Sequence, residues 1–289
     1  MTFAQSSVAA TQLADDFFHL TYCTNIHPAN GWNAVLDNLK QYAPLLHARI
    51  APHAPFGLGP RLSGVQSREL LAADRLETFA AKLAARRLYV FTINGFPYGP
   101  FHRQVVKASV HAPDWRDDER VNYTLRLINI LARLLPNDLD GGISTSPLSY
   151  KRWVDQDDSA TWELLTRNIV RVAAALRSVR EQQGKLIHLD IEPEPDGLLE
   201  TSGEVVTFFE AWLLPVGGRM LADQIGCTPD EARTYLLDHI RVCWDTCHMA
   251  LAYENPAAVL DRVEAAGIKI GKVQLSSALQ MLLPPDPAA

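Results

Sequence analysis

Three short segments carry residue types able to hold a divalent cation: His188-Leu189-Asp190-Ile191-Glu192-Pro193-Glu194-Pro195, Cys243-Trp244-Asp245-Thr246-Cys247-His248 and Val273-Gln274-Leu275-Ser276. Each ends an otherwise apolar run. Glu192 and Asp245 offer carboxylate oxygens, His248 a ring nitrogen and Gln274 an amide oxygen. Oxygen ligands suit Mg²⁺ or Mn²⁺, and an imidazole shifts the preference toward Mn²⁺, Zn²⁺ or Co²⁺, so the metal's identity stays open. The chemistry such an ion serves is polarisation of a carbonyl or of vicinal hydroxyls, which acidifies the adjacent C–H. A carboxylate such as Glu192 can then move that proton.

The four side chains meet only if the three runs lie side by side and point the same way. From residue 18 onward the chain alternates short β-branched or aromatic runs with long amphipathic ones. The strands expected are 19–26, 56–62, 88–94, 139–146, 185–192, 241–246 and 268–275. Leu125, Ile128, Leu131 and Leu135 mark the buried face of one intervening helix, and Trp162, Leu165, Ile169, Val172, Leu176 and Val179 that of the next. Thr228-Pro229-Asp230-Glu231 has the form of a capping box with Pro at the first helical position. Asn255-Pro256 opens a further helix, and Gly184 and Gly267 stand where a left-handed residue closes one. Repeated βα units imply parallel strands, and the predicted fold class is α/β, a TIM (β/α)₈-type barrel whose active site gathers at the strand C-terminal ends.

Seven strands can be identified, and the chain ends in Pro284-Pro285-Asp286-Pro287 before an eighth. The barrel is therefore expected to be incomplete at the C-terminus, with an exposed seam that invites self-association. The whole chain, 1–289, reads as one domain with its core over 17–279 and a tail over 280–289. A doubly wound open sheet ranks lower, because Ile26-His27-Pro28-Ala29-Asn30-Gly31 after the first strand lacks a glycine-rich phosphate loop. The Pro- and aromatic-rich stretch 95–117 is expected to loop over the barrel mouth, and 196–227 to be a helical insertion.

With 47% hydrophobic and 21% charged residues the composition is that of an ordinary globular chain. A net charge of −6 without any Lys/Arg run excludes a phosphate-backbone partner, so no nucleic acid is expected. No run of about 18 apolar residues stands out, and Met1 to Asp16 lacks the pattern of a secretory signal. These features predict a cytoplasmic protein that is not membrane-embedded. Four cysteines without a CxxC pair read as reduced thiols rather than a disulfide framework. A zinc site from Cys243, Cys247 and His248 is the lesser alternative.

Within the fifth strand His188, Asp190, Glu192 and Glu194 share one parity, and apolar Leu189 and Ile191 the other. Polar side chains turned inward must be hydrogen-bonded or hold a metal. His188 and Asp190 can form an interior network below Glu192. The order Glu at the fifth strand, Asp-Thr-x-His at the sixth and a polar residue at the seventh resembles the xylose isomerase-like TIM barrels, which include sugar phosphate isomerases and epimerases and the related abasic-site endonucleases. Leu20–Pro28, Asn94–Gly99, Pro113–Trp115, Ile143–Leu148, Ile191–Pro195 and Cys243–His248 look more closely like the EboE family of metabolite traffic proteins, over about residues 19–279. That resemblance implies a barrel from a gene cluster for export of a metabolite precursor, with other proteins of the cluster as partners. The wider superfamily implies Glu192, Asp245, His248 and Gln274 as metal positions and Glu192 and His248 as catalytic residues.

Further polar residues at the mouth are candidates for contacts to a polyol or phosphate: Asn25 and His27 after the first strand, Asn94 at the third, and His102 and Lys107 in the long loop. Trp115 is a candidate apolar wall. Two functions compete, a metal-dependent isomerase or epimerase of a small hydroxylated metabolite and a non-catalytic protein that binds or transfers such a metabolite. An endonuclease fits the acidic charge badly.

Overall fold

The computed structural model describes residues 11–13, 16–102 and 105–281. Most of the Met1–Asp16 stretch and residues 282–289 of the tail lie outside the described residues. A short antiparallel hairpin, β1 (Thr11–Leu13) and β2 (Asp16–Phe18), comes first, an element the sequence pattern did not announce. The parallel strands follow: β3 (Thr21–Cys23), β4 (Phe56–Gly59), β5 (Leu88–Tyr89), β6 (Thr92–Asn94), β7 (Gly141–Thr145), β8 (Ile187–Ile191), β9 (Ile240–Asp245) and β10 (Ile270–Gln274).

The run expected as one strand over 88–94 is divided between two sheets. Its first half, β5, pairs with β4 in the three-stranded sheet β3-β4-β5; its second half, β6, pairs with β7 in the five-stranded sheet β10-β9-β8-β7-β6. A parallel bridge from Arg61 to Asn94 joins the two, with Asn94 N–H donating to the Pro60 carbonyl at 2.9 Å. The result is seven strand positions in chain order, all parallel.

The sheet curls. Lys272 on β10 donates to Asn94 Oδ1 on β6, four places away along the sheet. In a flat sheet those strands would stand about 19 Å apart, far beyond the reach of a lysine side chain. The outer strands β3 and β10 have no further strand paired to them among the described residues. The architecture is thus an α/β barrel of parallel strands left open at one seam.

Ten helices among the described residues follow the strands: α1 (Gly31–Ile50), α2 (Gly64–Leu71), α3 (Arg75–Ala84), α4 (Asp118–Leu134), α5 (Ser159–Gln183), α6 (Ser202–Phe208), α7 (Gly218–Ile225), α8 (Pro229–His239), α9 (Thr246–Leu251) and α10 (Pro256–Ala265). The apolar stripes point inward as their 3.6 periodicity requires: Ile128, Leu131 and Leu135 are buried on and just beyond α4, and Leu165, Ile169, Val172, Leu176 and Val179 on α5. Leu125 and Trp162 are half-buried at the margins. The Thr228 capping box closes reciprocally with Glu231, and the Asn255 side chain accepts from Ala257 and Ala258 N–H. Gly184 and Gly267 adopt φ of +69° and +70°, where a Cβ would crowd the backbone.

The insertion over 196–227 is helical: α6 runs through a π-helical stretch, Phe209–Gly217, into α7. This corrects the sequence reading that no stretch is apolar enough to cross a membrane. Ser202–Ile225 reaches a mean hydropathy of 1.3 over a span-length window, half of it buried within the protein. Phe208, Phe209, Leu213 and Leu221 supply that burial by joining the core, which explains the apolar run without a membrane. All four cysteines are free; Cys243 is buried, while Cys23, Cys227 and Cys247 are half-buried.

Candidate metal centre

Register brings the polar ends together. β8 is flanked by β7 and β9 and is buried at all five positions. Glu192 comes immediately after it, its N–H donating to the Thr145 carbonyl at 3.0 Å, which extends the strand ladder by one residue. Asp245 is the last residue of β9 and lies directly opposite Gln274, the last of β10. His248, three residues beyond Asp245 in α9, has Nδ1 3.8 Å from Glu192 Oε1 and 3.2 Å from the Pro193 carbonyl. A ring N–H donated to that carbonyl would leave Nε2 as the lone-pair nitrogen, the arrangement by which a metal-binding histidine is usually oriented.

Asp245 is the most heavily hydrogen-bonded member. Its Oδ1 accepts from Cys247 N–H at 2.9 Å and from the Ser276 hydroxyl; its Oδ2 accepts from Gln274 Nε2. One ligand atom each from Asp245, Cys247 and His248 lie within 4.8 Å of one another, so a single ion reaches all three with small side-chain adjustments. Glu192 is buried beside them, and the carboxylate, thiol and imidazole donors of the cluster fit a divalent metal. Gln274 is brought to the same place, with its amide nitrogen turned to Asp245.

The environments of the two carboxylates shift their pKa values in opposite directions. Burial raises the pKa of Glu192, and the charge of Asp245 adds to it, against the opposing pull of Lys272, His248 and the Cys243 thiol. Burial would raise Asp245 too, but the hydrogen bonds from Ser276 and Cys247 and the nearby His248 outweigh it, and its pKa falls. Divergent environments of this kind separate an acid–base group from a permanently ionised one. Glu194, also in the cup, is pushed well above the carboxylate range by burial and then by Glu192 and Asp245.

Below the carboxylates, His188 Nδ1 and Asp190 Oδ1 are 2.6 Å apart, the interior network that strand parity predicts. Gly142 and Gly271 make room for it: a Cβ at Gly142 would come within 2.4 Å of Asp190 Oδ2, and one at Gly271 within 1.9 Å of Oδ1. Asn94 is buried at the end of β6, and its Oδ1 accepts from both Lys272 and Ser144. It therefore lines the interior of the cup.

The other sequence-derived candidates make contacts of their own. Asn25 sits half-buried in the turn after β3, and His27 stacks on Tyr42 of α1 with ring centroids 3.9 Å apart. His102 packs against Phe101, whose ring receives the Arg61 guanidinium at 4.8 Å. No hydrogen bond or ion pair among the described residues joins Asn25, His27 or His102 to the Glu192 cluster. Lys107 starts a 3₁₀ turn, Lys107–His111, and its side chain lies outside the described residues. Trp115 is fully buried, donating from Nε1 to Thr145 Oγ1 at 3.2 Å, so it is a core residue and not a wall of the mouth.

Sequence reasoning gave no role to Lys272, Ser276, or the pair His111 and Glu194. Burial opposes the charge on Lys272, but Cys243, Cys23, Glu192 and Asp190 together hold its pKa above the usual range. Its parity with Gln274 was the available signal. His111 Nδ1 lies 3.4 Å from Glu194 Oε1 and is ringed by Phe96, Tyr150 and Trp153. Burial first, then Arg120, lowers the His111 pKa to about 4. Residues 83 positions apart give no sequence signal for such a pair.

No family model matches the chain, and neither does any curated protein. Solved structures similar to it include an IolI protein with a bound zinc atom, at 13% identity and a TM-score of 0.47, covering 87% of this chain and 70% of that one. An L-ribulose 3-epimerase matches at 14% identity and a TM-score of 0.48, covering 90% and 81%. The 3-keto-D-glucoside 4-epimerase YcjR from E. coli matches at 13% identity and a TM-score of 0.45, covering 93% and 94%. The EboE resemblance finds no support in these comparisons.

Proposed function

We propose that this chain is a metal-dependent isomerase or epimerase of a small hydroxylated metabolite, a single barrel domain working in the cytoplasm. The observation that carries the reading is the meeting of Glu192, Asp245 and His248 from two different strand ends, with Glu192 Oε1 3.8 Å from His248 Nδ1. Asp245 and His248 would hold a divalent ion together with Glu192, and Gln274 would complete or orient the set. When bound, the ion supplies Lewis-acid polarisation of two substrate oxygens.

The chain's own groups account for the rest. Asp245 stays ionised under its hydrogen bonds from Ser276, Cys247 and Gln274 and serves as a fixed anion. Glu192, whose burial raises its pKa above the usual carboxylate value, takes up and returns a proton at the carbon next to the substrate carbonyl. Lys272 holds Asn94 and keeps a positive charge beneath the carboxylates. The epimerases named above take a ketoglucoside and L-ribulose, the class of substrate this reading gives the chain.

Solvent exchange tests it. Incubated in D₂O with Mn²⁺ or Zn²⁺ and a panel of ketoses, the protein should place deuterium at the carbon next to the carbonyl of at least one sugar, as read by proton NMR. Glu192→Gln should lower that exchange by about 100-fold or more, the scale of a lost general base. Exchange left intact in Glu192→Gln would remove Glu192 from the reaction. A metal-replete protein with no exchange on any sugar would favour the second reading, an EboE-like carrier of a metabolite precursor. The capture of Asp245 Oδ2 by the Gln274 amide is the observation that leans that way.

A further inference from the structure

We infer that Cys247 is a thiolate ligand of this centre and makes it a site for a borderline-soft ion, Zn²⁺ or Co²⁺, in place of Mg²⁺. The inference rests on the metal-centre reading above and names the class of ion. The sulfur is one of the three ligand atoms that lie within 4.8 Å of one another, with Asp245 and His248 supplying the other two. The grouping is local, Asp245-Thr246-Cys247-His248, so no distant rearrangement is needed to close it around an ion.

Cys247 is also held in place. Its N–H donates to Asp245 Oδ1 at 2.9 Å and to Ser276 Oγ at 3.0 Å, while Thr246 bonds to the carbonyls of Gln274 and Ser276. The turn bearing Asp245 and Cys247 is thereby tied to the segment after β10. Cys243, the other thiol nearby, is buried within β9 and directs its sulfur to the Glu192 carboxylate. It belongs to the wall of the cup rather than to the ligand cluster. Cys247, only half-buried, is the thiol open to an ion arriving from solvent.

With Glu192 Oε1 3.8 Å from His248, the available donors are one sulfur, one nitrogen and two carboxylates. Sulfur, imidazole nitrogen and carboxylate oxygen are a donor mixture that Zn²⁺ and Co²⁺ accept, and the three clustered donors of Asp245, Cys247 and His248 would leave room on the ion for substrate oxygen. Thiolate and imidazole favour Zn²⁺ and Co²⁺ and disfavour hard, octahedral Mg²⁺. On binding, the thiol loses its proton to the buffer as the metal–sulfur bond forms, and no redox partner is involved.

Cobalt reports the sulfur directly. Chelator-treated full-length protein titrated with Co²⁺ should develop a near-ultraviolet thiolate-to-cobalt charge-transfer band alongside the visible ligand-field bands, saturating at one equivalent. Cys247→Ser should abolish the charge-transfer band and weaken Zn²⁺ binding by about tenfold or more, since even an outer-shell partner of a metal ligand costs that much. Cys247→Asp, which restores an oxygen ligand, should bind Co²⁺ without the band, and Cys243→Ser should keep it. Cobalt bound by the wild type without a charge-transfer band would overturn the role of Cys247 and leave the metal centre standing. A band lost in Cys243→Ser but kept in Cys247→Ser would overturn it as well. Failure to take up Co²⁺ at all would overturn both this inference and the metal centre beneath it.

Discussion

The two sides of the metal cup are built differently. On one side, β8 has a strand on each flank and every residue buried, and Glu192 continues its ladder. On the other, β10 pairs only with β9 among the described residues, carries a register shift between Ile270 and Lys272, and keeps no residue fully buried. Apolar Val273, Leu275, Leu279 and Met281 stand exposed along and beyond that edge. A strand held on both flanks fixes its terminal side chain before any ligand arrives, whereas an edge strand positions Gln274 and Ser276 through side-chain bonds to Asp245 and Thr246. The closed side thus presets Glu192, and the open side clamps Asp245.

Truncating an apolar side chain to alanine on each side probes the contrast most strongly. Leu189, fully buried in β8, should cost about 3 to 4 kcal/mol as Leu189→Ala in chemical denaturation, the scale of a cavity in a rigid core. Val273→Ala on β10, where the side chain is 51% exposed, should stay within about 0.5 kcal/mol. Similar losses at the two positions would show that the edge is packed as firmly as the interior.

A smaller effect comes from titrating the closed side. His239 ends α8 beneath β8 and β9, with Nδ1 2.7 Å from the Ile187 carbonyl, and Arg180, Asp238 and Arg241 are its charged neighbours. Burial chiefly lowers its pKa from 6.5 to about 4. The native state therefore binds fewer protons than the unfolded chain between those values, so stability falls as pH drops from about 6.5 to about 4 and levels off below. The shift corresponds to about 3 kcal/mol in all. His239→Gln should flatten that part of the stability profile relative to wild type, and an unchanged slope would mean that His239 titrates as an exposed residue.

Much of the arrangement is legible in the sequence where the signal is local. Strand positions, capping residues, helix stripes and the inward parity of His188, Asp190 and Glu192 all follow from periods of 2 and 3.6 and from turn chemistry, although the strands expected over 19–26 and 56–62 end at Cys23 and Gly59. The split of 88–94 into β5 and β6 is not, because Leu88–Asn94 forms one apolar run and the change of partner from β4 to β7 is a tertiary event. The partner of His27 belongs to the same class, because its stacking on Tyr42 of α1 is a tertiary contact. Lys272 shares the parity of Gln274, but its partner Asn94 is set by the curl of the sheet. Trp115 offers an apolar face suited to a wall of the mouth, yet it is fully buried and Thr145 Oγ1 satisfies its N–H inside the core.

Whether the two sides meet on one ion is decided by calorimetric titration of Zn²⁺ into metal-stripped wild type and Asp245→Asn. The account predicts one Zn²⁺ per wild-type chain and an affinity lower by about 100-fold or more once the ligand anion is neutralised. Equal affinity and stoichiometry in the two proteins would contradict it.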